Sequence, residues 1–268
     1  MVTTDFEQGL GPWQALSEGL WELQDIDGNT VAALVETGVD RPPVRRPQAY
    51  ILLTQHAFLD FTITARVQSL EPNTQLGRDV VVIFGYIDDT HYYYAHLANS
   101  NIGTYHNIIV KVSGDTRAII QNKAKPEARL FDGWQAVKVT RDTEGNIAVF
   151  MGDFGTPIMT ATEIDYPLGT IGFGSFDGRA LFDDIHVEGT PPDSLTIERP
   201  TTQSVTSVHY TVYEGIPVTI ESSADFSNWS PLFEPVTTLF TSVQSYALPT
   251  PINTPTFFRV DYVYPAPL

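Results

Sequence analysis

The sequence contains no cysteine, which excludes disulfide bridges, thiolate catalysis and cysteine-ligated metals. It also lacks a long hydrophobic run, since no segment reaches the roughly 18 consecutive apolar residues that a membrane-spanning helix needs. No basic stretch followed by an apolar one stands near Met1, so the sequence shows no signal peptide. We therefore expect neither cysteine chemistry nor membrane insertion.

Positive charge is scarce as well. Fifteen Lys and Arg against 32 Asp and Glu give a formal net charge of −17, which repels nucleic acid and anionic membrane surfaces. Neither is an expected partner. Only 18% of the residues are charged, whereas 12% are aromatic and the chain has 19 Gly and 19 Pro, a composition typical of strands and turns. The composition therefore favours an all-β fold.

Short runs of β-branched and aromatic residues alternate with turn signals rich in Asp, Asn, Gly and Pro. Each run has the length of a strand. Asp88–Thr90 and Arg141–Asn146 are predicted to be hairpin turns. The strands predicted before residue 190 are 58–70, 78–87, 91–98, 106–114, 134–142, 146–153, 170–176 and 180–189.

A proline-punctuated segment that begins at Thr190 and runs to Gln203 predicts a linker between two domains. Residues 1–190 then form one large antiparallel β domain. Residues 196–268 form a smaller β module, with strands predicted at 209–215, 217–225, 242–249 and 256–264.

The order of motifs over residues 4–189 resembles a known group of carbohydrate-active proteins. The chain opens with DFEQGLGPW at 5–13, passes through VVIFGYIDDTHYYYAHL, and closes with IGFGSFDGRALFDDIHVEG at 171–189. This order is similar to that of concanavalin A-like (LamG-like) jelly rolls. The resemblance implies an all-β, concanavalin-like β-jelly-roll sandwich whose closing strand lies beside the opening strand and whose curved sheet offers a groove to a glycan.

The C-terminal segments IESSADFSNWSPL and TFFRVDYV, at 220–232 and 256–263, resemble a small module of secreted proteins from planctomycete- and verrucomicrobium-type bacteria. The resemblance implies a small C-terminal β-sandwich module with an accessory role. We accordingly expect a bacterial extracellular protein whose signal peptide has been removed, and we expect it to be a monomer.

The segment HYYYAHLANSNIGTYHNIIVKV, at 91–112, concentrates tyrosine and histidine. Alternate residues of a strand share a face, so Tyr92, Tyr94 and His96 point one way and the residues between them point the other. The sequence does not decide which set lines a groove. A following hairpin is expected to bring His106 and Asn107 beside the first set.

These residue types suit elimination from a uronic-acid-containing polysaccharide. A polysaccharide lyase must neutralise the substrate carboxylate, remove the adjacent proton and protonate the leaving oxygen. We predict such a lyase, acting by β-elimination with no required cofactor, although the signature strands of jelly-roll alginate lyases are absent. The predicted catalytic residues are Tyr94, His96, His106, Asn107 and Arg78, and the predicted substrate-binding residues are Arg66, Tyr92, Lys111 and Arg117.

Other functions stay open at this point. In a non-catalytic carbohydrate-binding protein the tyrosines would be stacking platforms and the histidines would bind sugar hydroxyls. A glycoside hydrolase or keto-sugar lyase would hold a metal with its histidines, but their spacing matches no zinc motif. Glu163-Ile-Asp165, the nearest paired-carboxylate string, lacks the second Glu of jelly-roll glucanases. Core packing alone also explains tyrosine-rich strands.

Calcium is the metal that the acidic residues at the two ends of the first domain would suit. Asp183 and Asp184 in the closing strand, with Asp5 and Glu7 near the opening one, offer the oxygen ligands that this cation prefers. Loop capping and strand-edge charge explain the same carboxylates equally well. Asp183 and Asp184 are therefore a candidate structural calcium site.

Overall fold

The fold was examined in a computed structural model of the chain, whose described residues form two compact units. One unit ends at Pro191 and the other contains the strands that follow. The described residues are 1–16, 19–54, 56–75, 77–100, 106–122, 130–191, 196–198, 205–212, 218–223, 230–232, 242–252 and 257–262. Within these ranges no helix has the length and hydropathy that a membrane crossing requires.

The described part of the first unit is built from fifteen strands. They are β1 (Val2–Thr4), β2 (Trp13–Ala15), β3 (Trp21–Ile26), β4 (Asn29–Leu34), β5 (Ala49–Leu53), β6 (Asp60–Ser69), β7 (Asp79–Asp88), β8 (His91–Ala98), β9 (Ile108–Ser113), β10 (Thr116–Ile119), β11 (Gln135–Arg141), β12 (Asn146–Met151), β13 (Met159–Thr162), β14 (Thr170–Ser175) and β15 (Ala180–Thr190).

Two antiparallel sheets pack as a sandwich, which confirms the predicted all-β fold class. The eight-stranded sheet has the order β13-β12-β11-β6-β15-β4-β3, with β1 also paired to β15. The seven-stranded sheet has the order β10-β9-β8-β7-β14-β5-β2. Because Val2 lies opposite Val187, the closing strand lies beside the first strand, as the jelly-roll resemblance implied.

The core between the sheets is made by alternate residues of each strand. Phe61 of the eight-stranded sheet contacts Phe84 of the seven-stranded sheet, with ring centroids 5.7 Å apart. Tyr93 stacks on Phe84 at 5.6 Å and therefore belongs to this core. Since strand neighbours point to opposite faces, Tyr92 and Tyr94 lie on the outer face of the seven-stranded sheet.

The strands predicted from the sequence are present as β6, β7, β8, β9, β11, β12, β14 and β15. The two predicted hairpins are also confirmed, because β7 pairs with β8 and β11 pairs with β12. Strand β5 was not predicted, because its five residues are all buried and show no alternation of apolar and polar residues. The four-residue strands β10 and β13 were not predicted either, because they are too short for a clear pattern.

The second unit contains two three-stranded sheets, in the orders β16-β17-β20 and β19-β18-β21. Its buried cluster is formed by Tyr210, Val218 and Ile220. All four strands predicted for this region are present. The strands are β16 (Thr196–Glu198), β17 (Val205–Val212), β18 (Val218–Ser223), β19 (Ser230–Pro231), β20 (Ser242–Ile252) and β21 (Phe257–Tyr262).

Candidate functional site

The outer face of the seven-stranded sheet carries most of the residues that the sequence singled out, and the chain itself covers them. Tyr92 and Tyr94 are 0% exposed and His96 is 3% exposed. Residues 36–48, between β4 and β5, are here called the strap, and Val44 of the strap packs on this tyrosine-rich cluster. Tyr92, Tyr94 and His96 are therefore enclosed rather than presented to solvent.

The glycines of β14 leave room for the tyrosine rings of this face to contact one another. Gly174 of β14 lies opposite Tyr50, and a Cβ at this glycine would stand 2.1 Å from the Ala49 carbonyl oxygen. The Tyr50 ring lies 5.9 Å from that of Tyr86 and 6.4 Å from that of Tyr92. β5 and β14 therefore approach too closely for any side chain at position 174.

His96 is held by a buried carboxylate. Its Nε2 lies 2.7 Å from Oδ2 of Asp79, and both side chains are almost completely buried. The other oxygen of Asp79 accepts hydrogen bonds from the Ser175 hydroxyl and from the Phe176 amide, the latter at 3.1 Å. The His96 ring stacks on Phe176 at 4.8 Å. These contacts fix the orientation of the imidazole.

The structure does bring the predicted histidine and tyrosine group together. The His96 ring lies 5.3 Å from the His106 ring and 6.2 Å from the Tyr94 ring. Asn107 has a backbone φ of 51°, and its side chain accepts from the amide of Ala98. The Asn107 side chain is 1% exposed, so it organises the turn that precedes β9.

Arg78 is tied to loop backbone instead of pointing toward this group. The guanidinium donates to the carbonyl oxygens of Glu71 at 2.7 Å and Leu130 at 3.2 Å. It also pairs with Asp132 at 2.9 Å, and Arg78 is 1% exposed. A substrate carboxylate would have to displace these contacts. They give Arg78 a structural role, the holding of the loops that contain Glu71 and Leu130.

The remaining predicted substrate-binding cations lie at three separate places. Arg117 lies on the outer face, with its guanidinium 5.7 Å from the Phe176 ring centroid. Lys111 is opposite Tyr93 in the register, on the core side, and it pairs with Asp165. Arg66 belongs to the eight-stranded sheet. Arg66 and Lys111 therefore do not share a face with Tyr94.

The candidate calcium residues are engaged by neighbouring groups, and Nη1 of Arg66 lies 4.0 Å from Oδ2 of Asp183. Asp184 pairs with Arg66 at 3.0 Å, and Glu7 accepts from the amide and the hydroxyl of Thr30 at 2.7 and 3.0 Å. Asp183 is fully buried, its Oδ2 accepts from Asn29 at 2.9 Å, and its Oδ1 has no hydrogen-bond partner. No group of three metal-ligating side chains occurs in the described ranges. The residues present do not fit the predicted calcium site.

Asp183→Asn is expected to raise the melting temperature at pH 7 in the presence of a chelator. Burial raises the pKa of Asp183 above its usual value, so the ionised carboxylate opposes folding at neutral pH. As the pH falls through that raised pKa toward the unfolded value of about 3.9, the wild-type residue takes up a proton and the advantage of the variant shrinks. Thermal melts at several pH values with and without calcium measure this difference. If calcium raises the melting temperature of the wild type but not of the variant, the predicted calcium site is supported after all.

A second candidate site lies on the outer face of the eight-stranded sheet. Polar and small side chains form one row across five strands, in which each residue is opposite the next in the register. They line a cavity of about 900 Å³, here called the trough. The row is Glu188, Thr62, Thr140, Ala148 and Thr160.

The trough is acidic and rich in hydroxyl groups. Among the described residues, three carboxylates line it, those of Asp60, Asp142 and Glu188. Arg141, also in the lining, is 4% exposed and donates to the carbonyl oxygen of Tyr166 at 2.7 Å, so its charge is engaged by the backbone. The lining therefore offers hydrogen-bond donors and acceptors to a neutral ligand and repels an anionic one.

The trough could not be predicted from the sequence, because its residues lie on separate strands. The three threonines of the row lie on three strands, β6, β11 and β13, and only the register places them in one row. The alternation on β6, where Asp60 and Thr62 are half-buried and Phe61 is buried, was the one signal available. That signal shows which residues face outward but not which strands are neighbours.

No protein-family model and no curated protein matches the sequence. Among solved structures, the chain is similar to the carbohydrate-binding module CBM66 from Bacillus subtilis, with a TM-score of 0.48 and 15% identity over 66% of this chain and 96% of that one. It is also similar to the cellulose-induced protein Cip1, with a TM-score of 0.47 and 15% identity over 71% of this chain and 98% of the other. The VIP36 exoplasmic/lumenal domain in its Ca²⁺/Man3GlcNAc-bound form has a TM-score of 0.41 and 13% identity over 83% and 96%. At such identities and TM-scores these likenesses carry no argument about function.

Proposed function

We propose that the protein is a non-catalytic carbohydrate-binding protein that holds an extended neutral glycan in the trough. The observation that carries this proposal is the continuous row of one glutamate, three threonines and one alanine across five strands. Neighbouring strands lie about 4.8 Å apart, so such a row gives a groove about 19 Å long. A cavity of about 900 Å³ is also within the range of ligand sites.

The groups along the trough suit sugar hydroxyls. Threonine hydroxyls both donate and accept hydrogen bonds, and Asn122 and Asn146 add amide groups to the lining. Ala148, the fourth residue of the row, leaves the floor open between Thr140 and Thr160. A polysaccharide chain laid across the strands would meet the Glu188 carboxylate at one end of the row and threonine hydroxyls along the rest.

Two of the three carboxylates that line the trough are occupied by hydrogen bonds from neighbouring residues. Asp60 accepts from the amide and hydroxyl of Thr190 at 2.9 and 3.0 Å. Asp142 accepts from Asn146 at 2.8 and 2.9 Å, and these bonds lower the pKa of Asp142. A glycosidase acid needs a raised pKa instead. The trough therefore favours binding over glycosidic cleavage.

A polysaccharide lyase is the second candidate, and the meeting of Tyr94, His96 and His106 favours it. A histidine oriented by a carboxylate is a suitable general base, and Asp79 orients His96 in this way. The obstacle is access, because Tyr94 and His96 are buried. Elimination at this group would require a uronate chain to reach the sheet beneath the strap.

Ala148→Trp is expected to weaken retention of neutral polysaccharides in native affinity gels by at least about tenfold, equivalent to 1.4 kcal/mol. The indole would fill the floor of the trough between Thr140 and Thr160 and exclude a glycan chain. The panel should contain neutral glucans, xylan, mannan and fructan beside alginate and pectate. Near-ultraviolet absorbance is followed in parallel, because uronate elimination creates a conjugated double bond.

Ala136→Trp is the matched control. Ala136 also lies half-buried on β11, opposite Arg66 in the register, and is outside the trough lining. Retention that the control keeps and Ala148→Trp loses supports the trough. Equal retention by both variants contradicts it, and a rising absorbance with a uronate polymer establishes the lyase instead.

A further inference from the structure

Two arginines of the strap, the buried Arg46 and the half-buried Arg41, share one carboxylate. Arg41 pairs with Oδ1 of Asp89, and Arg46 pairs with Oδ2 at 2.7 Å. Arg46 also donates to the Asp89 carbonyl oxygen at 2.7 Å. The Arg41 and Arg46 side chains are 16% and 5% exposed. Two guanidinium groups against one carboxylate leave one excess positive charge in an enclosed place.

The charged groups nearby on the sequence do not neutralise this excess. Asp177 pairs with Arg45 at 2.7 Å, and both side chains are more than half exposed. Asp88 accepts from His91 and from Thr90 at the hairpin turn. Since a buried charge is stable only when it is paired, the strap cluster requires a further negative group.

Three polar atoms around this cluster have no hydrogen-bond partner although they are buried. They are Nη1 of Arg41, Nε of Arg46 and the hydroxyl of Tyr92. Tyr92 is 0% exposed, and its ring lies 6.4 Å from that of Tyr50, whose hydroxyl donates to Asp89. Burial raises the pKa of Tyr92 well above its usual value, so the hydroxyl keeps its proton and acts as a donor.

A water molecule satisfies this arrangement poorly. Its own two hydrogens need two acceptors, whereas Oδ1 of Asp89 already accepts from Arg41 and Tyr50 and only Oδ2, which accepts from Arg46, keeps a free lone pair. An anion only accepts, so it pairs with all the donors without adding an unmet one. Its hydrogen bonds to guanidinium groups are also charge-assisted and therefore stronger.

We propose that the unpartnered donors of Arg41, Arg46 and Tyr92 beneath the strap bind a small monovalent anion of the size of chloride. One excess positive charge matches one negative charge, and the closed apolar surroundings, which include Val44 and Tyr86, favour a small ion over phosphate. The bound ion fastens the strap onto the tyrosine face. This site lies on the other sheet from the trough and is independent of the proposed glycan binding.

Thermal unfolding of the full chain in sodium chloride and in sodium gluconate at equal ionic strength tests the proposal. Chloride is expected to raise the melting temperature saturably, by roughly 5 °C at about a hundredfold excess over its dissociation constant. Gluconate is too large to enter. In crystals soaked in bromide, anomalous scattering should show a peak beside Arg46 Nε and the Tyr92 hydroxyl.

Tyr92→Phe keeps the ring and removes only the donor, so it should fold and shift the chloride midpoint upward at least about tenfold. Arg46→Gln should abolish the chloride response, whereas Arg45→Gln, on the same strap but in an exposed pair, should leave it unchanged. Equal melting in chloride and gluconate, an unaltered midpoint in Tyr92→Phe, or crystals without a bromide peak would each overturn the proposal and assign the donors to water.

Discussion

Asp79→Ala is expected to lower the free energy of unfolding by about 3–5 kcal/mol, the cost typical of breaking a buried, hydrogen-bonded pair. The substitution removes the acceptor of His96 and also those of the Ser175 hydroxyl and the Phe176 amide. All of these groups lie beneath the surface and cannot recover their hydrogen bonds from solvent. Urea unfolding of the full chain, followed by near-ultraviolet circular dichroism of the tyrosine cluster, measures the loss.

The hairpin between β7 and β8 supplies the control for this prediction. Asp88 and His91 form a pair with a similar separation, 2.9 Å, but their side chains are 39–42% exposed. Asp88→Ala should therefore cost no more than about 1 kcal/mol. Similar losses in the two variants would mean that Asp79 is not the anchor that its contacts indicate.

Arg78→Ala is expected to lower the free energy of unfolding by about 3 kcal/mol. The carbonyl oxygens of Glu71 and Leu130 lose their donors, and the side chain leaves a cavity where 1% of its surface was exposed. The contribution of Asp132 is small, because its side chain is 69% exposed. Arg78→Lys should recover little, since an ammonium group cannot match the planar fork that reaches several acceptors.

Arg179 is the matched control for Arg78. It pairs with the side chain of Glu71 at 2.9 Å, and its own side chain is 47% exposed. Arg179→Ala should cost at most about 1 kcal/mol. If Arg78→Ala is equally mild but abolishes turnover of a uronate polymer, Arg78 is a substrate cation, as the sequence first suggested, and the lyase gains over the binding protein.

The strand pattern was predictable because most strands have one face in the core and one outside. On β6 buried and half-buried residues alternate along the whole strand, and the same period identified the segment that became β11. β5 has no such period, because both of its faces are covered. A strand buried on both sides cannot be distinguished by alternation alone.

The predicted site shows a different limit of sequence information. Alternation correctly placed Tyr92, Tyr94 and His96 on one face, and the following strand brought His106 beside them. The burial of these residues could not be predicted from this segment, because the strap, which is distant in the sequence, covers that face. The segment 91–112 carries no signal that predicts the pairing of Arg41 and Arg46 with Asp89, which holds the strap on this face.

The sequence by itself determined the all-β class, the positions of most strands and the side of β8 that each tyrosine takes, because these depend on local periodicity and turn chemistry. Tertiary structure alone decided which face is enclosed and where an open groove lies. The row of the trough depends on the pairing of β6 with β11 and with β15, strands far apart in the chain. Such pairings are set by the packing of the whole sandwich, which no short stretch of sequence encodes.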